Sequence, residues 1–144
     1  MFSIMNKDIS GDGYVTLIQA SLRHFDSFSL VWNADLPYEA SRHAIGRGLR
    51  HHCISKEQGR IFYRWDSDAL PVLLLPGSLF SWKFPNYPED LTFYRDGLAG
   101  FVSVSHEEMA WILDTEFARS LPARLGFTEE IVSESVCRRC REQV

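Results

Sequence analysis

The stretch LTFYRDGLAGFVSVSHEEMAWIL, residues 91–113, constrains the fold more than any other part of the chain. Strand-forming residues lead into Asp96-Gly97, a dipeptide suited to a two-residue hairpin turn because both of its positions take up positive φ readily. A second strand runs through Val104, Glu107-Glu108 makes the next turn, and a third strand runs through Leu113. Three strands joined by short turns are an antiparallel meander. Such a sheet buries one face, so the rest of the chain must supply what covers it.

The remaining segments are read on the same terms. FSLVW, residues 28–32, and GRIFYRW, residues 59–65, are strands; in the second, Ile61, Tyr63 and Trp65 alternate with Arg60, Phe62 and Arg64. PVLLLPG, residues 71–77, is a wholly apolar run between prolines and reads as a buried strand. Val15 to Phe25 fits a helix by the spacing of Ile18, Leu22 and Phe25, and a strand by Val15, Thr16 and Ile18.

Ile45, Leu49 and Cys53 fall four apart, which predicts an amphipathic helix over about 38–53, weakened by Gly46 and Gly48. Asp114 or Thr115 caps a short helix that Pro122 interrupts, and Thr128 with Glu129 and Glu130 opens a last helix with Val132, Val136 and Cys140 on one face. The expected class is therefore α+β: a largely antiparallel sheet with the meander in its carboxy-terminal half, packed by the helix at about 38–53 and by carboxy-terminal helices. The 144 residues suffice for one globular domain, 1–144, with its own core.

Charge narrows the function classes. A net charge of -4 argues against a nucleic-acid binder, which needs an excess of Lys and Arg to displace counterions. The charge is also unevenly placed. Residues 40–55 hold Arg42, Arg47, Arg50 and three His with no acid, whereas residues 89–116 hold seven acids and only Arg95 as a cation. No run approaches the ~18 apolar residues of a membrane span, the first residues do not read as a secretory signal, and three cysteines suit a reducing compartment, so a cytoplasmic protein is expected.

Three segments tempt a motif reader. DISGDGYVTLIQ, residues 8–19, nearly spells a calcium loop, with Asp8, Ser10 and Asp12 as ligands and Gly13 at the sharp turn. Gln19 stands where the loop needs a bidentate Glu, so a turn is expected instead. CRRC, Cys137 to Cys140, could join Cys53, His51 and His52 around zinc, but nothing in the spacing brings the two segments together. No metal and no cofactor are expected.

The third segment, SVSHEE, puts His106 beside Glu107, with Glu89 and Asp90 upstream. Across a hairpin turning at Asp96-Gly97 the start of the first strand meets the end of the second, which brings Asp90 within reach of His106. Such a pair locks a turn or performs acid-base chemistry.

Leu75 to Leu113 also resembles a pattern of small uncharacterised bacterial proteins: an aromatic-Pro-Glu-Asp-Leu-x-Phe-Tyr block carried here by Tyr87, Pro88, Glu89, Asp90, Leu91, Phe93 and Tyr94, then Ser103, His106 and Glu107. The resemblance implies a bacterial cytoplasmic protein, loosely similar to immunity or accessory proteins, and implies no activity or functional residue.

Two functions follow as expectations. The first is a binding protein without catalysis, possessing an acidic, aromatic face of Trp82, Tyr87, Glu89, Asp90 and Tyr94 for a basic protein partner. The alternative is a small hydrolase or transferase with His106 and Asp90 or Glu107 in acid-base roles.

Overall fold

The computed structural model describes residues 2–32 and 42–130. The strands are β1 (Phe2–Met5), β2 (Ser27–Val31), β3 (Cys53–Glu57), β4 (Arg60–Arg64), β5 (Glu89–Arg95), β6 (Leu98–Val104), β7 (Met109–Ile112) and β8 (Thr128–Glu130). They form one sheet in the order β3-β4-β2-β5-β6-β7-β1-β8. Every neighbouring pair is antiparallel. Four helices accompany it among the described residues: α1 (Gly11–His24), α2 (Ala44–Leu49), α3 (Leu70–Leu73) and α4 (Thr115–Ser120). The α+β class and the meander of β5, β6 and β7 are as the sequence predicts. None of the helices is long and apolar enough to cross a membrane.

Register explains the core. Phe28 pairs with Tyr63 on one side and Phe93 on the other, Phe93 pairs with Phe101, and Phe101 pairs with Ile112, so these side chains share one face. Phe25, just after α1, stacks on Phe93 with centroids 5.7 Å apart and meets Phe117 of α4 edge-on at 4.7 Å. Tyr14, Leu17 and Ile18 of α1, Leu73 of α3 and Phe117 of α4 are fully buried in this cluster. A close-packed aromatic core of this kind leaves little room for change. At Gly100 the close approach is extreme, because an added Cβ would lie 2.4 Å from Cε1 of Phe25.

The opposite face carries Ser29 of β2, Arg60, Phe62 and Arg64 of β4, Thr92 and Tyr94 of β5, and Val102 of β6. Phe62 and Tyr94 bring their rings to 5.5 Å.

Four local expectations are corrected. The 71–77 run is no strand: Leu70–Leu73 is a helical turn with proline in its first turn, and a continuous apolar run does not distinguish the two. The helix expected at about 38–53 is confined, among the described residues, to Ala44–Leu49. Ile45 and Leu49 are buried as the stripe requires, but Cys53 starts edge strand β3 and is exposed. Residues 128–130 pair with β1 as a strand instead of opening a helix, and Val132, Val136 and Cys140 lie outside the described residues. The turn expected in the calcium-like stretch is instead helix, since α1 begins at Gly11 and carries Asp12, Gly13, Thr16 and Gln19 along its length.

Candidate functional site

The sheet is irregular at the start of β5. Ser29 pairs with Thr92 and Val31 with Glu89, so four residues of β5 span what three of β2 span. The surplus is a bulge, and Asp90 within it has φ 58, a left-handed conformation that a non-glycine residue adopts at a cost. Strain of this kind persists only where the surroundings over-determine it. Here they do: the Asp90 N–H donates to the Trp82 carbonyl at 3.4 Å, and Oδ1 accepts from the Ser105 N–H at 3.0 Å.

The bulge sends two adjacent acids in different directions. Glu89 reaches toward the turn after β6, where its Oε1 lies 2.7 Å from Nε2 of His106 and accepts from the Phe84 N–H at 3.2 Å. The expected pair of His106 with Asp90 is therefore replaced by a pair with Glu89. The His106 side chain is 57% exposed and that of Glu89 only 15%, so an exposed ring sits over a largely buried carboxylate. Glu107 and Glu108 continue the same turn, and both are exposed.

Asp90 faces a hollow of about 310 Å³ on the outer sheet face, lined by Arg60, Asp90, Thr92, Val102, Ser103 and Val104. Burial is the largest influence on its carboxyl and raises its pKa. Glu89 raises it too, and the Ser105 N–H, Arg60 and His106 only partly counter them. Arg60 is positioned from behind: its Nη1 donates to Ser29 Oγ at 2.9 Å, and that hydroxyl is 2.7 Å from the Tyr94 hydroxyl. The guanidinium forms no ion pair among the described residues. A half-buried cation with no ion pair among the described residues, a half-buried acid and a strained backbone at one concavity are marks of a site.

Two expected surface anchors are instead core residues. Trp82 is fully buried, its Nε1 donating to the Tyr14 hydroxyl at 2.8 Å, and that hydroxyl donates in turn to the Leu73 carbonyl. Tyr94 is 2% exposed and bonded to Ser29. Both polar atoms find buried partners on distant segments, which lets these large rings sit inside. Tyr87 is half-buried, with its ring 5.8 Å from that of Trp82.

The metal alternatives are placed as follows. Asp8 accepts from the Phe80 N–H at 2.8 Å, and Ser10 bridges to Ser78, so both pin the chain ahead of α1 to another segment. His51 and Cys53 are exposed while His52 is buried, its Nε2 3.0 Å from Asp66 Oδ1; Cys137 and Cys140 lie outside the described residues. Among the described residues, two groups bring ligand-type atoms within 4.8 Å of one another and could receive a cation: His24 with Asp114 and Glu116, and His52 with Asp66 and Asp68. In each, the aspartate nearest the histidine also accepts backbone N–H groups, from Phe117 or from Asp68 and Ala69, so a structural role accounts for its position.

Sequence reasoning singled out Glu89, Asp90 and His106 and did not single out Arg60, Ser29 or Thr92. The only local signal for Arg60 is its outward place in the alternation of GRIFYRW. No family model, curated protein or solved structure matches this chain.

Proposed function

We propose that this chain is a small cytoplasmic binding protein that acts without catalysis, immunity-like in that it receives a basic protein partner. The receiving surface is the acidic corner where β5 begins and the turn after β6 ends. The observation that carries this reading is the grouping of Glu89, Glu107 and Glu108 around an exposed His106, beside Phe84, itself 37% exposed. Charge placed in this way steers a cationic partner and sets its orientation, while an exposed ring next to it supplies apolar contact. The surface is narrower than the sequence predicts, because Trp82 and Tyr94 are interior; Tyr87 contributes through its half-buried ring.

The enzyme alternative has less support. His106 contacts Glu89, not Asp90, and an imidazole with more than half of its surface in water offers little exclusion of solvent to acid-base chemistry.

The test is site-specific photo-crosslinking in the cells that make the protein, with the reactive side chain at position 107 and a control at position 98 on the opposite hairpin end. The expected result is an adduct with a basic polypeptide from position 107 alone, lost on Glu108→Lys. Equal adducts from both positions, or none from 107, would refute the reading.

A further inference from the structure

The hollow on the outer sheet face lies behind the acidic corner and has no part in the binding just described. Its two charged groups differ in sign and come from strands that are not neighbours, since β2 lies between β4 and β5. Arg60 is not within ion-pair distance of Asp90, so the charges face a shared space without forming an ion pair.

We propose that this hollow binds a small zwitterion, a molecule with one carboxylate and one ammonium group, holding the carboxylate on the Arg60 guanidinium and the ammonium on the Asp90 carboxylate.

Three observations lead to this class. First, each charge is set in place before any ligand arrives. Ser29 and Tyr94 hold Arg60 from behind through bonds of 2.9 Å and 2.7 Å, and the bulge with the Ser105 N–H holds Asp90. Fixed groups lower the ordering cost of binding. Second, donors of Arg60 remain for a ligand, because its bonds to Ser29 and Tyr94 leave part of the five-donor fork unused, and a guanidinium fork matches a carboxylate. Third, Val102 and Val104 form an apolar stretch of the lining, which suits the hydrocarbon part of a small molecule.

Charge balance excludes the simpler ligands. An anion without an ammonium group gains Arg60 and meets Asp90 unfavourably; a cation without a carboxylate gains Asp90 and meets Arg60. A phosphate dianion is repelled more strongly than a carboxylate by the same acid. Only a ligand with both signs satisfies both ends.

The test is calorimetric titration of the full chain at neutral pH with glycine, leucine and 4-aminobutyrate, against butyrate and butylammonium as single-charge controls. The expected result is a Kd below about 1 mM for at least one zwitterion, with both controls weaker by about tenfold or more. Arg60→Gln and Asp90→Asn should each weaken that zwitterion by about tenfold or more. Should either variant fail to fold, Val104→Trp, which fills the hollow from a half-exposed position and leaves both charges in place, should abolish binding. No binding by any of the three zwitterions, butyrate binding as tightly as the zwitterion, or binding unchanged in Val104→Trp would each overturn the proposal.

Discussion

Glu89, and not its neighbour Asp90, holds the ring of His106, with Oε1 2.7 Å from Nε2. Register alone brings the start of β5 to the end of β6, and the bulge decides which of the two acids turns toward the imidazole. The consequence is energetic. His106 is 57% exposed, and Glu89, only 15% exposed, keeps the Phe84 N–H as a second donor, so removing the ring still leaves the carboxylate with a partner. His106→Ala should lower stability by only about 0.5 kcal/mol, as for other surface ion pairs. Urea denaturation checks this, and a loss above about 2 kcal/mol would mean the pair is structural in the stronger sense.

Asp90 should respond to pH in the direction opposite to most acids. Burial lifts its folded pKa above the ordinary 3.8. The folded chain therefore holds this proton more tightly than the unfolded chain, so the stabilisation is complete below 3.8 and is lost as pH rises through the raised value. At neutral pH the ionised carboxylate is a cost. Asp90→Asn keeps an acceptor for the Ser105 N–H and tolerates positive φ, so it should raise the denaturation midpoint at pH 7, with the gain vanishing in acid. A variant equally destabilised at both pH values would contradict this.

The contrast between these two acids shows where the sequence is legible. β4 and the meander were readable because alternation and the Asp96-Gly97 turn are local signals. Trp82 and Tyr94 were misread as surface rings because their buried partners, Tyr14 and Ser29, come from segments 68 and 65 residues away. The Arg60–Asp90 hollow was invisible for a related reason. It exists only because β2 inserts between β4 and β5, and no local pattern states which strands become neighbours.

The Tyr14 hydroxyl should matter more than any surface charge. It joins the indole N–H of fully buried Trp82 to the Leu73 carbonyl. Tyr14→Phe leaves both groups unpaired in the core, and about 2 kcal/mol should be lost with the fold otherwise intact. Near-ultraviolet circular dichroism with denaturation distinguishes this from an unfolded variant; a loss under about 0.5 kcal/mol would show that the bond contributes little.

Gly100 provides a packing test. Its Cβ would lie 2.4 Å from Cε1 and 2.9 Å from Cζ of Phe25, and 3.2 Å from Cβ of Asp114. Phe25 is wedged between Phe93 and Phe117 and has little room to retreat. Gly100→Ala should destabilise by about 1–3 kcal/mol through overpacking. Adding Phe25→Leu should cost less than the sum of the two single changes, and strict additivity would show that the two positions do not compete for space.

Asp114 gives the complementary pH prediction to Asp90. Burial alone would raise its pKa, but the His24 ring at 2.8 Å, the Phe117 N–H at 3.0 Å, the charge of His24 and the Glu116 N–H together lower it below 3.8. The folded chain then releases this proton more readily than the unfolded chain, so the stabilisation is present above 3.8 and is lost as pH falls through the lowered value. Two functions are combined in this one carboxylate, the cap of α4 and the partner of His24. Asn caps a helix about as well as Asp, so Asp114→Asn should remove the ionic part alone, about 0.5–1 kcal/mol at neutral pH, with the difference from the parent disappearing as pH falls through the lowered value. Asp114→Ala should lose the cap as well and stay about 1 kcal/mol below the parent even in acid. Denaturation midpoints for the three proteins at both pH values separate the two contributions; Asn and Ala variants that behave alike at every pH would show that the cap contributes nothing.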